Sequence, residues 1–555
     1  MKKKITCLVM CLLVFCMTVF TGCSLVEVDS DKYYNSVVVE IKDESGKVVS
    51  KITNRELLSG YQSVGYSYEY YGYTKEEAIN MTLKLLENRK IVLMQAEKIW
   101  GVDQTGKNLS DTEKTYLWEQ TVSALQTNLN SYLDTEESKE EETETTIITY
   151  DAYSPKAELE VDKDGNFSIK LIDQKDGVLD NYTPSVSKKD YYGNEEDKNL
   201  IYENFFENNK FGKNFDAYKQ YLNDLKYSEK GQNLSTDPMK VFEREIDRLY
   251  TQSYENYIIE KYTEQLLETN GVSNVEVQDI LDLYSSKVRA SYTQFALEKD
   301  EEYDNTMQES SNDVYYYCEG QENNTYFSVL NILFNKNEKE EGKFDLIIRE
   351  KDENGNYEQT STEVVSKNEI YSFVESNIAN ILTNAQNSSD DEILYDAMTE
   401  CVFKYNQDPG MQTSDAKYVI GIDAQGNPVS NFVESFNTAG KALYNQNVIG
   451  NIEIAESEFG IHVLVYTGKF ENLFKDANET FALKAEQAQE GELSAIQLLD
   501  STRVSPMLDK TYFDLLFDEL YQDNSSSVQQ ADVDVLRANY EMVYYKGRIP
   551  DSLKG

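Results

Sequence analysis

Residues 427–469 read NPVSNFVESFNTAGKALYNQNVIGNIEIAESEFGIHVLVYTGK. The spacing of apolar residues predicts a helix near 429–444, and the run after Gly450 predicts an apolar strand. That strand carries His462, the single histidine in a chain of 555 residues. Two readings of it stand at this point: a functional imidazole on a strand, or a satisfied polar residue in a structural sheet. No second histidine exists to partner it.

Working outward, TYFSVLNILFNK (325–336) and a stretch containing Tyr418–Ile422 read as strands, with a hairpin around Asn354-Gly355 between them. Ile370, Val374, Ile378, Ile381 and Ala385 recur at helical spacing. A helix is expected from about Glu276 to Leu297, and a longer one is capped by Asp237 with Pro238 at its first turn. The longer one carries Val241, Ile246, Leu249, Tyr257 and Leu266 and closes at Gly271. AELEVDKDGNFSIKLI (157–172) is a hairpin pattern, and DTEESKEEETETT (134–146) an acidic solvated linker. Thr74 with Glu77 predicts a capping box opening a helix that ends at Gly101, and residues 37–52 predict two strands around a Ser-Gly turn. The tyrosines between Tyr61 and Tyr73 read either as half-buried packing or as a contact surface. PMLDKTYFDLLFDELYQ (506–522) is helical again.

Bulk composition narrows the function. Hydrophobic residues make up 40% of the chain, enough for packed cores, and the length suggests about two to four domains. A net charge of −46 argues against nucleic-acid binding, which needs clustered cations against phosphate. It suits solubility at a crowded surface, or selection of basic clients. No G-x-S-x-G, H-E-x-x-H or P-loop pattern occurs, and so few His and Cys residues leave no metal site and no cofactor to expect. Of six cysteines, Cys7, Cys11 and Cys16 lie in an N-terminal apolar run. Cys318 and Cys401 either pair or remain buried thiols.

Lys2, Lys3 and Lys4 precede the apolar run Ile5–Phe20, the pattern of a signal peptide. The following VFTGCS (19–24) resembles the lipobox of bacterial lipoproteins, with Phe20 where Leu is usual. The resemblance implies cleavage before Cys23, lipidation of its sulfur and durable anchoring by two acyl chains on the extracellular face of the cell membrane.

Three stretches in order, VLNILF (329–334), FKYNQDPG (403–410) and the quoted 427–469, resemble a parvulin-type peptidyl-prolyl isomerase domain. TNRELL (53–58) and TKEEAINMTLKLLENRKIVLMQAEK (74–98) resemble the helical chaperone domain of PrsA- and SurA-type foldases. With the lipobox, PrsA-like lipoproteins are the nearest group; residues 105–235 lie outside the resemblance. It implies an α+β chain: a signal peptide (1–22), a lipid-anchored tether (23–36), and a helical chaperone-like region (37–310) with an insertion near 134–235. A parvulin-like domain (311–470), with a small antiparallel sheet and helices, and a C-terminal helical region (471–555) follow.

The resemblance also implies a site. His462 stands at the family's second histidine, and Asn331 falls where the first would be. Asp408 takes the acidic or thiol position. Phe436, Phe432 and Ile420 take the positions of the apolar residues that line the proline socket, while Lys441 replaces a second socket phenylalanine. An asparagine can both donate to and accept from His462, so Asn331 either sustains the polar network or marks a domain that binds peptide without catalysis. The partners implied are unfolded exported polypeptides and, through the lipid, the membrane. A solute-binding lipoprotein of a transporter and a non-catalytic surface scaffold are the competing expectations.

Overall fold

The computed structural model describes residues 34–130, 156–171, 179, 238–270, 275–296, 301–309, 311, 314–318, 324–351, 357–388, 391–411, 417–474, 481–486, 492–504, 510–550 and 553. The signal peptide, Cys23, most of the tether, the acidic run at 134–146 and the caps at Asp237 and Gly271 lie outside these residues. The fold is α+β, built from helices and small antiparallel sheets. Among the described residues no helix is long and apolar enough to cross a membrane.

Chain contacts divide the protein into two units. One comprises Met1–Glu141, Lys175–Ser273 and Gln522–Gly555; the other comprises Glu142–Gln174 and Asn274–Tyr521.

In the first unit, the strands Val37–Asp43 and Val48–Thr53 pair around the expected turn. A third strand, Tyr540–Tyr544, adds to the other edge of Val37–Asp43. The C-terminal region is therefore not wholly helical: its last strand completes a sheet begun near the N-terminus. The Thr74–Glu77 capping box opens the helix Lys75–Trp100, which Gly101 closes at a φ of 65°. Its Ala78, Leu83 and Leu86 pack with Val39, Ile52, Leu57 and Tyr61. The tyrosine cluster divides: Tyr61 and Tyr68 are buried, whereas Tyr66, Tyr70 and Tyr71 are exposed. A second capping box, Ser110 with Glu113, is tied to the helix Pro238–Thr269, because Glu113 accepts from Tyr257 and from the Lys261 ammonium, each at 2.7 Å. Burial alone would raise the Glu113 carboxyl; these donors hold it down at about 2.

The second unit is organised by a five-stranded antiparallel sheet. Its order is Ile452–Glu456, Gly460–Lys469, Thr325–Asn335, Tyr418–Ile422 and Pro428–Val429. The helix expected near 429–444 begins instead at Glu434, because Pro428 and Val429 pair with Ile422 and Gly421 as the edge strand. Alternation sorts the two central strands into faces. Leu330, Ile332, Phe334, Ile461, Val463 and Val465 face one core with Ile370, Val374 and Met398. Phe327, Val329, Leu464 and Tyr466 face the other, packed with Phe436, Ala439 and Leu443 of the helix Glu434–Gln446. The helical span 367–386 contains a π-helical stretch, Val374–Ala379. The extra residue per turn there moves Leu382 into the core and leaves Ile381 exposed, reversing the α-helical expectation.

The hairpin at 157–171 forms as expected, Ala157–Val161 against Phe167–Leu171. It groups with the second unit, setting Leu159, Phe167 and Ile169 against a core of Ile280, Phe513 and Leu516. A short helix, Ala495–Ser501, within the region expected to be helical, joins that core. Cys318 and Cys401 form no disulfide, and burial pushes the Cys401 thiol up to about 12.

Two glycines set how closely these layers approach. A Cβ at Gly460 would lie 2.1 Å from the Phe334 carbonyl oxygen, whereas one at Gly440 would meet side chains alone, the end of Ile420 at 2.4 Å and the Phe327 ring at 3.4 Å. Gly460→Ala is thus expected to lower stability by about 1–3 kcal/mol, since backbone must move, and Gly440→Ala by less. Urea unfolding checks this; equal midpoints for Gly460→Ala and wild type would contradict it.

Candidate functional site

His462 is the third residue of the strand Gly460–Lys469 and lies directly opposite Leu333. Asn331, two residues earlier on the neighbouring strand, projects from the same face, so the imidazole and the amide meet on a diagonal. His462 Nδ1 is 3.2 Å from Asn331 Oδ1. The Asn331 Nδ2 amide donates to Asp408 Oδ2 at 2.6 Å. The Tyr418 hydroxyl donates to the same carboxylate oxygen at 2.9 Å, and the Gly410 N–H to the other at 2.9 Å. On the far side of the ring, Nε2 is 2.7 Å from the Ser457 hydroxyl oxygen, which accepts from the Phe459 N–H.

These contacts have a direction. An ionised carboxylate only accepts, so Asn331 must turn its NH₂ toward Asp408 and its oxygen toward His462. An amide oxygen also only accepts, so Nδ1 carries the ring proton and Nε2 accepts from Ser457. The relay is Ser457 to His462 to Asn331 to Asp408, with Tyr418 donating at the same end. His462 and Asn331 are buried, 7% and 1% exposed, while Ser457, Asp408 and Tyr418 are half-buried. Burial pushes the imidazole below its ordinary value, and the Asp408 charge opposes this only in part, so the ring is neutral at neutral pH. Burial, and then the Asp408 charge, raise the Tyr418 hydroxyl, which stays a donor.

Aromatic rings lie against the relay. Phe436 meets His462 edge-on, with centroids 5.5 Å apart. Phe432 packs on Phe436 at 4.8 Å, and Tyr418 on Phe432 at 5.0 Å. Phe436 is buried and Phe432 half-buried. Ile420 is fully buried, filling the space above Gly440 in the core that contains Phe327 and Phe436. The Asn427 N–H and side chain and the Gln425 N–H hold the Asp423 carboxyl below its ordinary value, and the charge of the half-buried Lys441 adds the smallest contribution.

The structure therefore brings together His462, Asn331, Asp408, Phe436 and Phe432, and packs Ile420 in the same core as Phe436. Sequence reasoning missed Tyr418 and Ser457 as members of the network. Tyr418 was visible only as a strand residue. Ser457 reaches the ring because the turn between Ile452–Glu456 and Gly460–Lys469 folds it back. Among the described residues no cluster of His, Cys, Asp and Glu could hold a metal ion. No family model matches the chain, and no curated protein or solved structure matches it.

A neutral buried imidazole makes stability depend on pH with a definite sign. The folded value lies below the unfolded one, so the unfolded chain binds this proton first as acid is added. The contribution is complete above an unfolded value of ~6.5 and is lost as pH falls through it toward the folded value. Wild type is expected to lose stability relative to His462→Gln between about pH 7 and pH 5. Urea unfolding across that range measures the difference; a constant or rising difference on acidification would contradict it.

Proposed function

We propose that this protein is a membrane-tethered foldase or chaperone for exported polypeptides, anchored through Cys23 on the extracellular face, and that residues 311–470 form a divergent parvulin-like prolyl isomerase domain. The observation that carries this reading is the convergence of His462, Asn331 and Asp408 beside the Phe432–Phe436 ring pair. Asn331 lies 77 positions from Asp408 and 131 from His462 in sequence, yet these polar groups meet at the edge of an aromatic cluster.

The chemistry demanded by prolyl isomerisation is modest. Amide resonance opposes rotation by ~18–20 kcal/mol, and an uncatalysed X-Pro bond turns over in tens to hundreds of seconds. Neither a nucleophile nor a proton transfer is needed. An apolar contact grips the pyrrolidine ring, and fixed polar groups favour the twisted amide, whose carbonyl and nitrogen have lost conjugation. A neutral imidazole, oriented by Asn331 and backed by a carboxylate, is such a group. A proline ring entering here would displace the half-buried Phe432 and rest on Phe436.

The arrangement speaks against a transporter's solute-binding protein. That class has doubly wound parallel lobes, whereas every strand pair among the described residues is antiparallel. A non-catalytic scaffold remains the contrasting outcome of the activity measurement. Wild type should accelerate cis–trans exchange of a prolyl peptide, and His462→Ala should lower kcat/KM by about 10²-fold, the loss typical of removing one preorganised polar contact. Wild type and His462→Ala performing alike would sink the isomerase reading.

A further inference from the structure

Between Asn331 and Asp408 the chain inserts a long hairpin, Lys343–Lys351 paired with Tyr357–Ser366. Phe344, Leu346 and Val365 bury it in the core, Tyr357 stacks on Phe403 at 5.3 Å, and Lys404 lies 3.3 Å from Glu350. Those contacts hold the hairpin in place. Two others do something different, because they end on the two residues just before Asp408. Arg349, 4% exposed, donates from Nη1 to the Asn406 carbonyl at 2.7 Å. Gln407 Nε2 donates to the Asp345 carbonyl at 2.7 Å.

Asn406 and Gln407 in turn fix Asp408 to the strand that bears Asn331. Asn406 Oδ1 accepts from the Asp408 and Leu333 N–H groups, each at 2.9 Å, and its Nδ2 donates to the Asp408 carbonyl at 3.0 Å. The Gln407 N–H donates to the Leu333 carbonyl at 3.0 Å, and Gln407 Oε1 accepts from the Asn335 N–H at 3.3 Å. Tyr418–Ile422 accompanies Thr325–Asn335 only as far as Val329. Beyond that point Asn406 and Gln407 occupy the strand's edge, with the hairpin bonded to their other side.

We propose that the inserted hairpin is a positioning element for the relay: Arg349 and the Asp345 carbonyl lock Asn406–Gln407 and thereby hold the Asp408 carboxylate within reach of Asn331. Arg349 touches neither His462 nor Asn331, so its action is indirect. A guanidinium-to-carbonyl bond in a buried setting is charge-assisted and directional, well suited to fixing one peptide plane. If the segment drifts, Asn331 loses the acceptor that sets its amide orientation, and His462 loses the constraint on its ring proton. The functional weight of this inference rests on the foldase reading, but the structural coupling is readable without it.

The single histidine makes the coupling observable. Histidine-specific ¹⁵N labelling of the intact protein, purified without a histidine tag, yields one pair of imidazole nitrogens. Wild type is expected in the Nδ1–H form. Arg349→Met and Gln407→Met should shift His462 toward the Nε2–H form that dominates in an unconstrained side chain, with Arg349→Lys restoring part of the wild-type signal. Where wild type isomerises prolyl peptides, the two Met variants should also lose about tenfold or more in kcat/KM, as misplaced polar groups do. Should Arg349→Met fail to fold, Gln407→Met decides alone. Wild-type nitrogen shifts in a folded Gln407→Met would overturn the proposal, as would wild-type shifts in a folded Arg349→Met. A wild type without isomerase activity whose variants still change tautomer would remove the foldase reading and leave the positioning role standing.

Discussion

The Asp408 carboxylate gives the candidate site its polarity. Because it can only accept, it determines which way the Asn331 amide points, and that in turn determines where the imidazole proton resides. A protonated carboxyl, or a neutral hydroxyl in the same place, would leave the amide free to flip and the ring tautomer undecided. One negative charge at the end of a short chain of hydrogen bonds thus orders a histidine it does not touch. Tyr418 and the Gly410 N–H donate to the rest of that half-buried carboxylate, so its oxygens are not left without partners.

The sheet exists around this relay in a specific register. Shifting Gly460–Lys469 by one residue against Thr325–Asn335 would put the imidazole in the apolar core of the opposite face, alongside Ile370 and Val374. The apolar residues on that face and the close approach at Gly460 oppose such a slip, so the packing that stabilises the unit also aims the functional groups. The helix Glu434–Gln446 completes the arrangement by laying Phe436 against the ring, which the small residue Gly440 permits by making room for Ile420.

Much of this was legible in the sequence. The histidine strand, the Asn331 strand and the strand at Tyr418–Ile422 announced themselves through apolar runs, and the caps at Thr74 and Gly101 through local chemistry. What escaped was non-local or depended on a local irregularity. Tyr540–Tyr544 is a strand only because Val37–Asp43 offers it an edge, far away in the chain. Leu382 replaces Ile381 in the core because a π-helical turn adds one residue to the period, which no α-helical template anticipates. The expected helix start near 429 moved to Glu434 because an edge-strand pairing took Pro428 and Val429. For the hydrogen-bond network, His462, Asn331 and Asp408 could be named in advance as candidates, and they do meet, but Ser457 and Tyr418 join them only through the closure of a turn and a strand. The role of Asn406 and Gln407 as an edge segment had no sequence signal apart from their place before Asp408.

The central claim is that a proline-containing segment meets His462 and the Phe432–Phe436 pair, and that its amide turns there. The most direct measurement follows one sample by NMR, with the lone histidine and the phenylalanine rings labelled, while an unlabelled prolyl peptide is added. The account predicts that the imidazole nitrogens and the Phe432 and Phe436 rings shift together, and that exchange cross-peaks connect the cis and trans peptide faster than the uncatalysed rate. Histidine and phenylalanine signals unmoved by saturating peptide, with exchange no faster than in buffer, would contradict it.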